Sequence, residues 1–345
     1  MNVSSHKIIF SDARKLAKKI DKDSINLIVT SPPYPMIEMW DELFHKLNPK
    51  ITKTLIDEQP DVAFELMHKE LDKVYDQCLQ VIKNDAIICI NIGDATRTIN
   101  GLFRLFTNGA RTVQYFLNKG FTQLPSIIWH KPTNSPNKFM GSGMLPVGAY
   151  TTLEHEHILV FRKNKRIFQS DEDIKNRRSS AFFQYERNLW CQDIWKIIGN
   201  RQKNTNASRG RSAAYPLEIP YRLIALNSIE GDVILDPFGG TGTTTIACVA
   251  LKRNSFLVEI ERNFKNDIIN RIKSSFAEIK EFNDRRLLKA MEHIEKRKSN
   301  NKSIKYLNEV LNIPVVTRQE QNLTIPILSD VVNINDHEIS IIYQR

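Results

Sequence analysis

The stretch from Val233 to Glu259 constrains the fold more than any other part of the chain. An apolar run, Val233-Ile234-Leu235, leads into Asp236-Pro237-Phe238-Gly239-Gly240-Thr241-Gly242. A helix is predicted over Thr244 to Leu251, and a second apolar run, Ser255-Phe256-Leu257-Val258, ends in Glu259. Apolar runs without alternation read as strands covered on both faces. Two such strands joined through a helix must run parallel, which predicts an α/β fold. The glycines allow tight backbone angles and close approach to a ligand. Glu259, about twenty residues past them, is placed to accept hydrogen bonds from a ribose diol. The turn is no Walker loop, because no Gly-Lys-Ser/Thr follows, and its glycine spacing differs from the dinucleotide fingerprint.

A second strand end carries another unusual element. Ile25-Asn26-Leu27-Ile28-Val29 reads as a buried strand, and Thr30-Ser31-Pro32-Pro33-Tyr34 follows it. Each proline lacks an N–H and fixes φ, and Pro33 also holds Pro32 extended. The result is a stiff loop with a hydroxyl at one end and an aromatic ring at the other. At the carboxyl end of a strand in an open α/β sheet, such a loop is placed to bind a ligand. The four residues alone are equally compatible with a proline turn that closes a strand. Upstream, Lys7 to Phe10 reads as a strand, followed by Ser11-Asp12-Ala13 and a short helix to Ile20. Strand, helix, strand within 34 residues predicts a βαβ unit with parallel pairing. Asp12 on its own is read first as a helix N-cap, with an acceptor for an amine or a ribose as the alternative.

Between these elements, apolar periodicity predicts a helix over 64–82, and Ala86 to Ile92 reads as a central strand ending in Gly93-Asp94. Further strands are predicted at 125–130 and 158–161, with a long polar loop at 133–152. Glu154-His155-Glu156-His157 invites a metal reading. His155 and His157 would share one face of a strand, but no third ligand lies nearby in sequence, and no metal is expected. From 162 to 211 there are 13 Lys/Arg against 5 Asp/Glu, interleaved with Phe168, Phe182, Phe183, Tyr185, Trp190 and Trp195. Such a segment suits phosphate contacts together with base or groove contacts. After about residue 274 the chain is highly charged and reads as helical to Lys298, and 311–345 carries scattered apolar residues around two prolines.

Net charge narrows the partners. Of 345 residues, 49 are Lys or Arg and 39 are Asp or Glu, a net +10 that favours an anionic partner, nucleic acid first. Cys78, Cys89, Cys191 and Cys248 have neither zinc nor redox spacing, so reduced thiols in a cytoplasmic protein are expected. No signal-peptide core and no run of about 18 apolar residues is present, so no membrane span is expected.

Taken together, Thr-Ser-Pro-Pro-Tyr at 30–34 and Asp-Pro-Phe-Gly-Gly-Thr-Gly at 236–242 resemble the S-adenosylmethionine-dependent amino-methyltransferases that act on DNA. The tetrapeptide precedes the glycine loop, which is the permuted order of the β group of these enzymes. Phe10-Ser11-Asp12-Ala13, Tyr215-Pro216 and Trp129-His130-Lys131-Pro132 resemble further segments of the family, with a Ser where Gly is more usual before Asp12. The resemblance covers roughly residues 6–275. It implies a doubly wound, mostly parallel, Rossmann-like class I methyltransferase sheet, circularly permuted. Residues 1–161 would form the catalytic half, 162–211 the target-recognition region and 212–275 the cofactor half, with a charged extension at 276–345.

The resemblance implies that Ser31, Pro32, Pro33 and Tyr34 clamp a flipped base. It assigns Asp12, Tyr215, Asp236, Phe238, Gly239, Gly240, Thr241, Gly242 and Glu259 to S-adenosyl-L-methionine. It implies double-stranded DNA as partner, a monomer or a dimer, and a companion restriction endonuclease against which host DNA is protected. Ser at the head of the tetrapeptide resembles the branch that makes N4-methylcytosine; Asp or Asn is more typical of the N6-adenine branch. An RNA or protein amine methyltransferase, or a catalytically silent binding module, are the other classes compatible with the residues.

Overall fold

The structure is a computed structural model and describes residues 2–131, 140–199, 215–335 and 337–344. Its strands are β1 (Val3–Phe10), β2 (Ile25–Thr30), β3 (Ile82–Ile92), β4 (Ala95–Ile99), β5 (Leu102–Phe106), β6 (Thr122–His130), β7 (Met140–Gly141) and β8 (Ala149–Tyr150). They continue with β9 (His155–Arg162), β10 (Ile194–Lys196), β11 (Val233–Asp236), β12 (Asn254–Glu259), β13 (Tyr306–Asn308), β14 (Ile313–Val315), β15 (Leu328–Asn335) and β16 (Glu338–Tyr343). The helices are α1 (Asp41–Leu47), α2 (Lys50–Ile56), α3 (Pro60–Val81), α4 (Asn108–Asn118), α5 (Asp171–Ser179), α6 (Gln184–Trp190), α7 (Glu218–Asn227), α8 (Thr243–Ala250) and α9 (Lys265–Ser299).

Among the described residues one sheet has the order β10-β6-β9-β3-β2-β11-β12-β1-β16-β15. From β3 to β1 all neighbours are parallel, while β9 and β16 run against their neighbours. Residues of β2 divide between two cores. Leu27 and Val29 join Ile219 and Leu223 of α7, Ile246 of α8 and Ile272 of α9 on one face. Ile25 and Ile28 join Met67, Leu71 and Val74 of α3 and Phe116 of α4 on the other. A strand wetted on neither side explains why 25–29 reads as an unbroken apolar run.

The first βαβ unit differs from its sequence reading in one respect. β1 and β2 do run parallel, but they are not neighbours, because β11 and β12 lie between them. Strands from late in the chain fill the gap, and the short helical turn Ala13–Lys18 spans it. The consequence is a topological switch between β2 and β11. From β11 the chain crosses through α8 outward to β12; from β2 it crosses through α3 outward to β3 on the opposite side. Loops leaving neighbouring strands in opposite directions open a crevice at the strands' carboxyl ends, where ligands bind in such sheets. The two motifs that stand out in sequence are the two loops flanking this switch.

The C-terminal segment extends the sheet. β16 pairs antiparallel with β1, opposing Val3 to Ile342 and Lys7 to Glu338, and β15 forms the outer edge. Ile339, Ile341 and Tyr343 are buried against the main core.

Candidate active site

The loops after β2, β11 and β12 enclose one cavity of about 1220 Å³. Every sequence-assigned site residue except Gly242 lines it. Gly242 stands behind the wall as the N-cap of α8, with φ at 84°, a backbone angle that favours glycine. The volume exceeds the 300–1,000 Å³ of an ordinary small-molecule site, so it has room for a cofactor and a nucleobase together.

The glycine turn is fixed by close packing. A Cβ on Gly239 would lie 2.2 Å from Leu257 Cγ, so no larger residue fits without moving β12. Glu259 ends β12 and holds the turn from the side. Its Oε2 accepts from the Gly240 amide at 2.8 Å and its Oε1 from the Glu261 amide at 2.9 Å. Burial raises its carboxyl pKa, and these amide bonds oppose the shift. The parallel register sets Phe10 opposite Glu259, and the Ser11 amide donates to the Glu259 carbonyl, so the Ser11-Asp12 turn reaches the same wall. Asp12 caps the Ala13–Lys18 turn, and its carboxylate is gripped by the Arg14 guanidinium, which also reaches the buried Glu70. Asp12 is thus an N-cap, and it also lines the cavity.

Asp236 joins the two halves. Its Oδ1 accepts from the Thr30 hydroxyl at 2.7 Å and its Oδ2 from Thr244 at 2.5 Å, while the Tyr215 hydroxyl lies 2.6 Å from Thr244. The residue just before Ser31 is therefore bonded to the glycine motif across 206 positions of sequence. Burial raises the Asp236 carboxyl pKa, opposed by the hydroxyl bonds from Thr244 and Thr30. The Thr243 hydroxyl, also in the cavity wall, has no protein partner among the described residues.

Sequence reasoning missed the cluster behind the tetrapeptide. Tyr34 does not extend freely from its loop. Its hydroxyl donates to Glu156 Oε2 at 2.7 Å, lies 3.0 Å from Ser31 Oγ, and accepts from Asn91 Nδ2 at 2.8 Å. Asn91 Nδ2 is also 2.6 Å from Glu156 Oε2, and Lys131 is ion-paired with Glu156 Oε1. Burial, and then the Glu156 charge, push the Tyr34 hydroxyl well above its ordinary pKa, so it remains a donor. The ring rests on Gly93, where a Cβ would come within 3.0 Å of Cε2. Asn108, fully buried, donates to the carbonyls of Pro35 and Gly93 and so ties the loop to the end of β3.

The histidines of 154–157 do other work. His157 contacts Asp94 at 3.5 Å and packs edge-on against His155. Among the described residues no three His, Cys, Asp or Glu gather as metal ligands, and no helix is long and apolar enough to cross a membrane. In the basic segment, Phe183, Trp190 and Trp195 are buried, so these aromatics build the core instead of offering rings to bases. Residues 200–211 of that segment, and Pro132 of the strand-end motif, lie outside the described residues.

The lining fits S-adenosyl-L-methionine. A strand-end carboxylate suits a ribose diol, Phe238 offers an aromatic face, and the unpartnered Thr243 hydroxyl offers a polar contact. An open, mostly parallel sheet with this glycine turn, facing a strand-end proline loop across the switch, defines a class I S-adenosylmethionine-dependent methyltransferase. Residues 25–271 match the DNA methylase family of N6/N4 methyltransferases, and the chain belongs to that family. It is 46% identical, over 99% of its own length and 96% of the relative's, to the type II methyltransferase M.MthZI of Methanothermobacter thermautotrophicus. It is 47% identical to the type II methyltransferase M.MjaI of Methanocaldococcus jannaschii, over 78% of the chain and 91% of that protein. A solved structure from Thermus thermophilus, described as a putative DNA modification methylase complexed with S-adenosyl-L-methionine, superposes with a TM-score of 0.60. That likeness covers 77% of this chain and 94% of the other, at 27% identity. The permuted sheet and the cofactor class expected from sequence are both borne out. The chain is a type II DNA methyltransferase that acts on an exocyclic amine.

Proposed function

We propose that this methyltransferase modifies the N4 amine of cytosine, held as a base flipped out of double-stranded DNA, and protects host DNA beside a companion restriction endonuclease. The observation that carries the cytosine reading is Ser31, a neutral hydroxyl acceptor, at the head of the tetrapeptide. An exocyclic amine on a nucleobase is a poor nucleophile because its lone pair is delocalised into the ring. The protein's task is to extract the base, hold it, and localise that lone pair.

Ser31 Oγ and the Pro32 carbonyl accept the amine hydrogens and draw the nitrogen towards tetrahedral geometry. Pro33 stiffens the loop, and the Tyr34 ring forms a wall for the base. S-adenosyl-L-methionine supplies the methyl as a sulfonium electrophile. Asp12, Tyr215, Asp236, Phe238, Gly239, Gly240, Thr241, Gly242 and Glu259 seat it, with Glu259 on the ribose hydroxyls. Positive charge develops on the amine during transfer, and acceptors aimed at it favour the transition state over the ground state; the neutral thioether departs with the former S–CH3 electron pair, and the surplus amine proton passes to water. Residues 162–211 read the target, with their excess positive charge on the phosphates.

Nucleoside mass spectrometry of plasmid DNA from cells expressing the chain tests the reading. N4-methylcytosine is the expected product. N6-methyladenine in its place would transfer the assignment to adenine and remove the significance attached to Ser31.

A further inference from the structure

A serine hydroxyl offers either its hydrogen or a lone pair, and only one of these serves the proposed chemistry. An amine N–H needs an acceptor. An O–H aimed at the nitrogen would instead engage the lone pair that has to attack. The cluster behind Ser31 decides between them.

Glu156 is buried, at 6% exposure, and Lys131 occupies its Oε1. Its Oε2 is an acceptor only, and the Tyr34 hydroxyl donates to it at 2.7 Å. Tyr34 has one hydroxyl hydrogen, and it is spent there. The 3.0 Å contact between Tyr34 Oη and Ser31 Oγ is therefore donated by Ser31. Asn91 fits the same polarity. Its Nδ2 lies 2.6 Å from Glu156 Oε2, where its oxygen would face another oxygen, so the amide group is the donor there and to Tyr34. The same Nδ2 is 3.4 Å from Ser31 Oγ. The hydroxyl hydrogens of the cluster are thereby directed towards Glu156, which leaves Ser31, a residue that lines the cavity, with a lone pair and no hydrogen to offer there.

We propose that Glu156 is the positioning residue that makes Ser31 a dedicated hydrogen-bond acceptor for the target amine, acting through Tyr34. This rests on the reading of Ser31 as the amine's acceptor. An Asp at position 31 would accept without help; a hydroxyl needs its hydrogen drawn away, and the buried carboxylate two residues behind it in the hydrogen-bond chain does so.

The test is a double-mutant cycle on single-turnover methyl transfer, with cofactor affinity measured alongside. In Glu156→Gln the Lys131 ammonium claims the one remaining carbonyl oxygen, so the amide NH₂ faces Tyr34 and the donor chain reverses. We expect transfer to fall by about 10²-fold, the scale of one positioned proton-handling group. Affinity for S-adenosyl-L-methionine should stay within about twofold, because the loss is local to the amine. In a Ser31→Ala background the same substitution should change the rate by less than about threefold, since its route of action is gone. Tyr34→Phe, which leaves the Glu156–Lys131 pair intact, should behave the same way and serves if Glu156→Gln fails to fold. Equal losses in both backgrounds, or no loss in the Ser31 background, would overturn the role of Glu156 while leaving Ser31 standing. A Ser31→Ala enzyme with wild-type rate would overturn both.

Discussion

Glu259 spends one oxygen on each of two backbone amides, which leaves lone pairs on both for further donors. In Glu259→Gln the amide nitrogen must face either the Gly240 or the Glu261 N–H, donor against donor. A hydrogen bond to a charged group contributes about 1.5–3 kcal/mol, so affinity for S-adenosyl-L-methionine should weaken by roughly 10- to 150-fold. Equilibrium binding of the tritiated cofactor checks this, and unchanged affinity would contradict the role. At this scale much of the site was legible in the sequence, because glycines, prolines and a strand-end acid leave local signatures. Asn91 and Glu156 left none. Asn91 sits inside the apolar run 86–92, and Glu156 sits between two histidines that drew a metal reading. Their roles arise from β3 and β9 being antiparallel neighbours, with Asn91 opposite Ile158 and Ile92 opposite His157. Only that pairing brings the amide and the carboxylate together.

Helix α9 is the element that ties the basic segment to the catalytic sheet. Arg286 on α9 and Glu186 on α6 are both buried and bonded through two nitrogens, at 2.5 and 2.9 Å. Glu186 also caps the start of α6 by accepting the Phe183 amide. Removing one member of a buried pair strands the other charge, at a cost of about 3–5 kcal/mol. Arg286→Met should therefore lower the urea midpoint by that much stability, and a shift below about 1 kcal/mol would mean that the pair is not a fastener. The charge-rich sequence of α9 was readable as a helix, as were α3 from its periodicity and α8 from its place between two apolar runs. The basic segment was not readable. Its aromatics looked like base-stacking groups, but Phe183, Trp190 and Trp195 pack inward because α6 and β10 close one end of the sheet. The hairpin β15–β16 was equally hidden. Its partner strand, β1, lies at the other end of the chain, so nothing local in 328–343 marks it as sheet.

Across the whole molecule, buried histidines set a stability limit at low pH. His6, wedged between Ser4 and Ser255, and His68, against Asn108, have their pKa values lowered from 6.5 to about 3, chiefly by burial. The native state thus refuses a proton that the unfolded chain accepts below about pH 6.5. Stability is full above that value, falls as pH drops from 6.5 towards 3, and the loss saturates below 3. Between pH 7.5 and 5.5 each histidine should cost roughly 1 kcal/mol. Urea unfolding of wild type and His6→Asn at both pH values isolates the term: the variant should lose less stability on acidification, and parallel losses would contradict it. The parallel α/β class was plain from sequence at this scale. The local reading of the first 34 residues did not show that β11 and β12 lie between β1 and β2; only the order of the two motifs, which implies a permuted sheet, pointed to it.

That insertion brings Thr30 to Asp236 and so sets Ser31 and the glycine turn on one cavity. The central claim is that the two loops divide the work, one seating the methyl donor and the other shaping the amine. Measuring Ser31→Ala for both functions tests it most directly. Affinity for tritiated S-adenosyl-L-methionine should stay within about twofold of wild type, while single-turnover transfer to DNA falls by about 10²-fold. Transfer at the wild-type rate, or a loss of cofactor affinity as large as the loss of rate, would contradict that division.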